Sequence, residues 1–127
     1  MSYRVLVVDD SKLARMAVAK VLRDLRADWQ LLHATNADEA LALAHEASFD
    51  IALLDFNMPG RDGLSLAADL QEAKPGMPVA VISANLQDEI VARSQQDGAA
   101  FLPKPLTRQA MNAFICEAER RLGESRS

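Results

Sequence analysis

Short apolar runs alternate along the chain with longer stretches in which apolar residues recur at helical spacing. Five of these runs are rich in aliphatic residues and predict strands, at residues 5–8, 30–34, 51–54, 79–82 and 100–102. Each run is followed by a helical pattern, and this alternation is typical of βαβ units around a parallel sheet. The sequence therefore predicts five successive βα pairs.

Capping residues and chain breakers outline the predicted helices. The second helix opens at Asn36 with Glu39 three residues later, which is close to a capping box. The third covers about residues 63–72, the fourth runs from Asn85 to Gly98, and the fifth begins near Thr107. Inward faces are predicted for the first helix, at Ala14, Ala17, Val18, Val21, Leu22 and Leu25, and for the fifth, at Met111, Phe114, Ile115, Ala118 and Leu122.

Five helices around a parallel sheet favour one doubly wound α/β domain with helices on both faces. The expected strand order is 2-1-3-4-5, which places a ligand site where strands 1 and 3 lie side by side. We expect this (βα)5 domain to occupy residues 1–123, followed by a C-terminal tail at 124–127.

Composition narrows the class of protein. The 127 residues carry a formal net charge of -4 and one cysteine, Cys116. No apolar run approaches the roughly 18 residues of a membrane span. A lone cysteine fits a reducing compartment, and the negative charge argues against direct binding of nucleic acid. We therefore expect a cytoplasmic protein that acts away from membranes and DNA.

Polar residues follow four of the five predicted strands within two positions of the strand end. Asp9 and Asp10 follow the first, Asp55 the third, Ser83 the fourth and Lys104 the fifth. Three carboxylates in one cleft repel one another unless a cation offsets their charge, and Mg²⁺ prefers such oxygen ligands. Taken singly, each residue also fits a helix cap, a turn or a solvated surface group. Together they indicate phosphate chemistry on a carboxylate.

The chain resembles the response-regulator receiver domains of two-component signalling over essentially its whole length. The resemblance rests on the segments VVDDS (7–11), LDFNMPGRDG (54–63), VISA (81–84) and FLPKP (101–105). It implies the flavodoxin-like form of the doubly wound fold. It also implies a phosphoacceptor switch that catalyses its own phosphorylation and dephosphorylation, in place of an enzyme acting on a separate substrate.

The resemblance also implies a role for each site residue. Asp55 would accept a phosphoryl group, and the carboxylates of Asp10 and Asp55 would bind Mg²⁺ together with the backbone carbonyl of Asn57. Asp9 would act mainly through a metal-bound water, and Lys104 would pair with phosphoryl oxygens. The Lys104–Pro105 peptide bond is expected to be cis.

Signalling is expected to follow from movement of Ser83 toward the phosphoryl group. The ring of Phe101 would enter the space that Ser83 leaves, although an ordinary core role for this ring is an alternative. The move would shift a surface formed by the fourth helix, fifth strand and fifth helix. Asn57 and Asn85 would tune hydrolysis of the acyl phosphate, and the alternative role for Asn85 is that of a helix cap.

The expected partners are proteins. They comprise a sensor histidine kinase or phosphotransfer protein and a downstream target or effector domain. Whether phosphorylation also drives formation of a homodimer is left open. Three other functions compete: a magnesium phosphohydrolase of the haloacid-dehalogenase type, a flavin or nucleotide module, and a degenerate receiver that only binds proteins. The adjacent pair Asp9-Asp10 does not match the D-x-D of the first, and no Gly-rich loop follows strand 1 for the second.

Overall fold

All five predicted strands form one parallel sheet. The computed structural model describes residues 2–58, 62–84 and 98–126. The strand order is β2-β1-β3-β4-β5, which confirms the prediction. The strands are β1 (Arg4–Val8), β2 (Gln30–Ala34), β3 (Ile51–Asp55), β4 (Val79–Ser83) and β5 (Ala100–Pro103).

Within the described residues, four helices pack on this sheet. They are α1 (Lys12–Leu25), α2 (Ala37–Glu46), α3 (Gly63–Ala73) and α4 (Arg108–Arg126). The predicted fourth helix, from Asn85 to Gly98, lies outside the described residues except for Gly98, so α4 is the helix predicted as the fifth. It continues to Arg126, which differs from the tail predicted at 124–127. Gly123 does not end the helix, because an exposed glycine in a helix costs only about 1 kcal/mol.

Side-chain caps fix where the four described helices begin, and at α4 Oγ1 of Thr107 accepts a hydrogen bond from the Ala110 amide at 3.1 Å. Oγ of Ser11 accepts a hydrogen bond from the Ala14 amide at 3.2 Å, and Oδ1 of Asp62 accepts one from the Ser65 amide at 2.8 Å. Asn36 caps α2 as predicted, accepting from the Glu39 amide at 2.8 Å. The capping box differs from its usual form, because the Glu39 carboxylate accepts from the amide of Thr35, one residue before the cap.

The core consists of two apolar layers, one on each face of the sheet. Strands β3 and β4 are buried throughout, because their uninterrupted apolar runs serve both faces. The predicted inward face of α4 is confirmed, since all five of its residues are buried. On α1 the prediction was too wide, because Val18 and Leu22 are buried whereas Ala17 is exposed. Among the described residues, no helix is long and apolar enough to cross a membrane.

Candidate functional site

The carboxyl ends of four strands bring the predicted polar residues to one edge of the sheet. Asp55 ends β3 and pairs in register with Ile82 of β4, and Ser83 pairs with Pro103 of β5. Asp9 follows β1, and its amide donates a hydrogen bond to the carbonyl of Ala34 in β2. Parallel strands end at the same edge, so residues far apart in sequence become neighbours.

Three acidic side chains form one cluster at this edge. Each of Asp9, Asp10 and Asp55 offers a carboxylate oxygen, and these oxygens lie within 4.8 Å of one another. Asp9 and Asp55 are each only 6% exposed, whereas Asp10 is open to solvent. Two buried acids and one exposed acid can supply one or two direct carboxylate ligands and leave positions for water. That is the ligand set Mg²⁺ prefers, so this cluster could bind the metal.

The charge state of Asp9 reflects this crowding. Burial is the main cause that raises the pKa of the Asp9 carboxyl, and the charges of Asp55 and Asp10 raise it further. The Ser11 amide, which donates to Oδ1 of Asp9 at 2.9 Å, and the charge of Lys104 oppose the rise. A bound divalent cation would relieve the same repulsion.

Lys104 lies next to the acidic cluster. Its Nζ lies 2.8 Å from Oδ1 of Asp55, and its backbone amide donates to the carbonyl of Ser83 at 3.0 Å. The Lys104–Pro105 peptide bond is cis, as expected. Asp55 is therefore a buried carboxylate that has both an ammonium group and two further carboxylates close to it.

The remaining predicted residues lie around this centre. Ser83 is fully buried at the end of β4. Phe101 is partly buried and packs against the apolar layer that contains Val81. Asn57 is exposed two residues after Asp55, and Asn85 lies outside the described residues.

Two residues that support the site were not predicted from the sequence. Arg15 is not among the predicted site residues, but its Nη1 donates to the backbone carbonyl of Asp9 at 2.6 Å. Gly63 was noted only as the start of α3, but a Cβ there would lie 2.5 Å from the carbonyl oxygen of Asp55. A basic residue one helical turn past the cap and a glycine opening a helix were the available signals.

The chain is similar in sequence to one protein family and to individual proteins. The model of the response regulator receiver domain matches residues 5–115. The chain is 31% identical over 115 residues to the chemotaxis protein CheY of Pseudomonas aeruginosa, covering 88% of this chain and 92% of that protein. It is 38% identical over 119 residues to the positive alginate biosynthesis regulatory protein of the same species, covering 91% of this chain and 47% of that protein.

A solved structure shows the same fold. The CheY-like receiver domain protein of Methanospirillum hungatei JF-1 superposes with a TM-score of 0.85 at 25% identity, covering 98% of this chain and 99% of that one. The chain spans about half the length of several curated relatives that it matches. The matched positions span all five strands and the first half of α4, so this chain belongs to the response regulator receiver domain family.

Proposed function

We propose that this receiver domain accepts a phosphoryl group on Asp55 in a two-component phosphorelay. One observation carries the proposal: the buried Asp55 carboxylate lies 2.8 Å from the Lys104 ammonium and beside the carboxylates of Asp9 and Asp10. A lone structural ion pair would not need two more acids beside it. A site that handles a metal ion and a phosphoryl group needs both features.

Asp55 would attack phosphorus with one carboxylate oxygen, and the bond from phosphorus to the donor would break in line. An ionised carboxylate carries no proton, so the nucleophile needs no general base. Mg²⁺, held by Asp10, Asp55 and the Asn57 carbonyl and by Asp9 through water, would offset negative charge on the phosphoryl oxygens. Lys104 would move from its pairing with Asp55 to a phosphoryl oxygen, which keeps its charge beside the reacting atoms.

The output would be a local change that begins at Ser83. Its hydroxyl would turn to a phosphoryl oxygen, and the ring of Phe101 would move into the vacated space. Ser83 and Phe101 lie on adjacent strands, since Val81 pairs with Phe101 in the ladder. The surface of β5, α4 and the predicted fourth helix would then present a different face to partners.

The same site would set how long the signal lasts. Hydrolysis of the acyl phosphate requires water in line with the new bond. Asn57 and Asn85, each two residues past a site residue, would tune that access. In this proposal the domain catalyses its own phosphorylation and dephosphorylation.

Proteins are the proposed partners. A sensor histidine kinase or phosphotransfer protein would donate the phosphoryl group, and a downstream target, effector domain or second copy would read it. The net charge of -4 supports protein contacts over direct nucleic-acid contacts. We place the receiver domain at residues 1–123, with the end of α4 continuing beyond it to Arg126. We place the protein in the cytoplasm, where an unpaired cysteine such as Cys116 stays reduced.

Intact-mass measurement after incubation with acetyl phosphate and Mg²⁺ tests the proposal. The wild type and an Asp38→Asn control should each gain the mass of one phosphoryl group, and Asp55→Asn should not. Asp38 is a suitable control because it is an exposed acid in the first turn of α2. Equal labelling of Asp55→Asn, or steady turnover of a phosphate ester by the wild type, would contradict it.

A further inference from the structure

Arg15 of α1 links this helix to the end of β1, where two of the three clustered acids lie. The side chain is half-buried, and its Nη1 donates a hydrogen bond of 2.6 Å to the backbone carbonyl of Asp9. Its Nε is buried and has no hydrogen-bond partner among the described residues. A buried donor without a partner costs free energy. The contact with Asp9 is therefore the interaction that this placement of the guanidinium gains.

We propose that Arg15 is a positioning residue that sets the affinity of the acidic cluster for Mg²⁺. It would act by fixing the peptide unit between Asp9 and Asp10, whose oxygen accepts the hydrogen bond from Arg15. This inference rests on the proposed function, because it concerns the metal ion that phosphoryl transfer needs. In this role Arg15 contacts neither the metal ion nor the phosphoryl group.

The other hydrogen bonds of Asp9 leave the orientation of this peptide unit to Arg15. The Asp9 amide donates to the carbonyl of Ala34 at 3.1 Å, which fixes the peptide unit before Asp9. Oδ1 of Asp9 accepts from the Ser11 amide at 2.9 Å, which fixes the side chain. A peptide unit is planar, so a hydrogen bond to its oxygen also orients its N–H and the next Cα. The bond from Arg15 therefore orients the backbone that carries Asp10.

Asp10 depends on its backbone more than the other two acids of the cluster do. Asp9 and Asp55 are buried, and Asp55 is also paired with Lys104, whereas Asp10 is open to solvent. An exposed side chain takes its direction mainly from the backbone that carries it. Without the bond from Arg15, the Asp10 carboxylate would be free to point away from the other two.

The charge of Arg15 alone would have the opposite effect on metal binding. A positive charge beside the cluster repels a divalent cation, so its removal should strengthen binding when only charge matters. Loss of a group that orients a metal ligand typically weakens metal binding about 10- to 100-fold. The sign of the change in affinity therefore separates positioning from charge.

Titration of the metal-free protein with Mg²⁺, followed by the NMR amide resonances of Asp10 and Phe56, measures this affinity. Arg15→Met removes the donor and the charge and keeps a straight side chain that suits a helix. We expect its dissociation constant for Mg²⁺ to be about tenfold higher than that of the wild type. Lys12→Met is the matched control, because Lys12 is an exposed cation in the first turn of the same helix. Its dissociation constant should stay within about twofold of the wild type or fall.

The rate at which acetyl phosphate labels Asp55 provides a readout that a general loss of structure would not reproduce. At the Mg²⁺ concentration that half-saturates the wild type, Arg15→Met should be labelled about fivefold more slowly, because a tenfold weaker site is then mostly empty. At saturating Mg²⁺ its rate should return to within about threefold of the wild type, because Arg15 does not contact the reacting atoms.

The metal-free protein provides a test that involves neither metal nor transfer. The carbonyl ¹³C resonance of Asp9 should move in Arg15→Met and stay in place in Lys12→Met, because only the first variant loses the hydrogen bond. A dissociation constant of Arg15→Met equal to or below that of the wild type, a labelling rate that stays low at saturating Mg²⁺, or an unmoved Asp9 resonance would overturn the role of Arg15. Absence of saturable Mg²⁺ binding by the wild type would instead overturn the proposed function.

Discussion

Replacing Gly63 with alanine tests whether α3 fixes the backbone of the phosphoacceptor. Gly63 is the first residue of α3, and its amide donates to the carbonyl of Phe56 at 2.9 Å. A Cβ at this position would lie 2.5 Å from the Asp55 carbonyl oxygen and 3.0 Å from Cα of Phe56. Both contacts are with backbone, so relief requires movement of the helix start or of the end of β3.

The expected cost follows from these contacts. Overpacking in a well-packed site costs about 1 to 3 kcal/mol. The higher intrinsic helix preference of alanine over glycine offsets less than about 1 kcal/mol of this cost at a helix end. We therefore expect Gly63→Ala to lower the free energy of unfolding by about 1 to 2 kcal/mol. For a chain of this length the melting temperature should fall by roughly 4 to 8 °C.

Urea unfolding followed by circular dichroism, together with the phosphorylation rate of fully folded protein, would measure both effects. Gly123→Ala is the matched control, because a Cβ there meets no atom within 4 Å. Gly123→Ala should instead gain about 0.4 to 1 kcal/mol. If Gly63→Ala equals or exceeds the wild type in stability and is phosphorylated at the same rate, the close approach of α3 to Asp55 does not constrain the site.

Three further substitutions test the roles proposed for Asp9, Lys104 and Ser83. Because burial and neighbouring acids raise the folded pKa of Asp9, this carboxyl should contribute a loss of stability to the metal-free protein as pH rises from its unfolded pKa of 3.8 through the folded pKa, whereas Glu39 and Glu117, whose pKa values are lowered, contribute in the opposite direction. Metal-free Asp9→Asn should lack this loss in melts between pH 3 and 8, and an unchanged slope would contradict it. Lys104→Met should slow labelling by acetyl phosphate about 100-fold; a rate within threefold of wild type would remove Lys104 from the mechanism. Ser83→Ala should still bind beryllofluoride but show less than half the wild-type amide shift change at Phe101, and an undiminished change would separate Ser83 from the switch.

The pattern of the sequence predicts the architecture well because each element serves a buried face. Strands buried on both faces need uninterrupted apolar runs, and β3 and β4 show such runs. The strands themselves extend one residue further than predicted, to Asp55 and Ser83. Backbone hydrogen bonds continue the ladder at both residues: the Phe56 amide, directly after Asp55, donates to the carbonyl of Ile82, and the carbonyl of Ser83 accepts from the Lys104 amide.

The supporting contacts of the site were harder to predict, because they depend on distances between elements. Helical periodicity places Ala17 beside Val18 on an apolar stripe, but it does not give the width of the buried face. The same limit applies to Arg15, whose bond to the Asp9 carbonyl depends on how α1 lies over β1. For Gly63, only the approach of α3 to the end of β3 makes a glycine necessary.

Binding of beryllofluoride, a tetrahedral mimic of the phosphoryl group, tests most directly whether the strand ends form one metal-dependent phosphoryl site. Fluorine NMR would be recorded on the wild type with and without Mg²⁺ and on Asp55→Asn. We predict bound fluorine resonances only for the wild type with Mg²⁺ present. Bound resonances that persist without Mg²⁺ or in Asp55→Asn, or no bound resonance at all, would contradict the account.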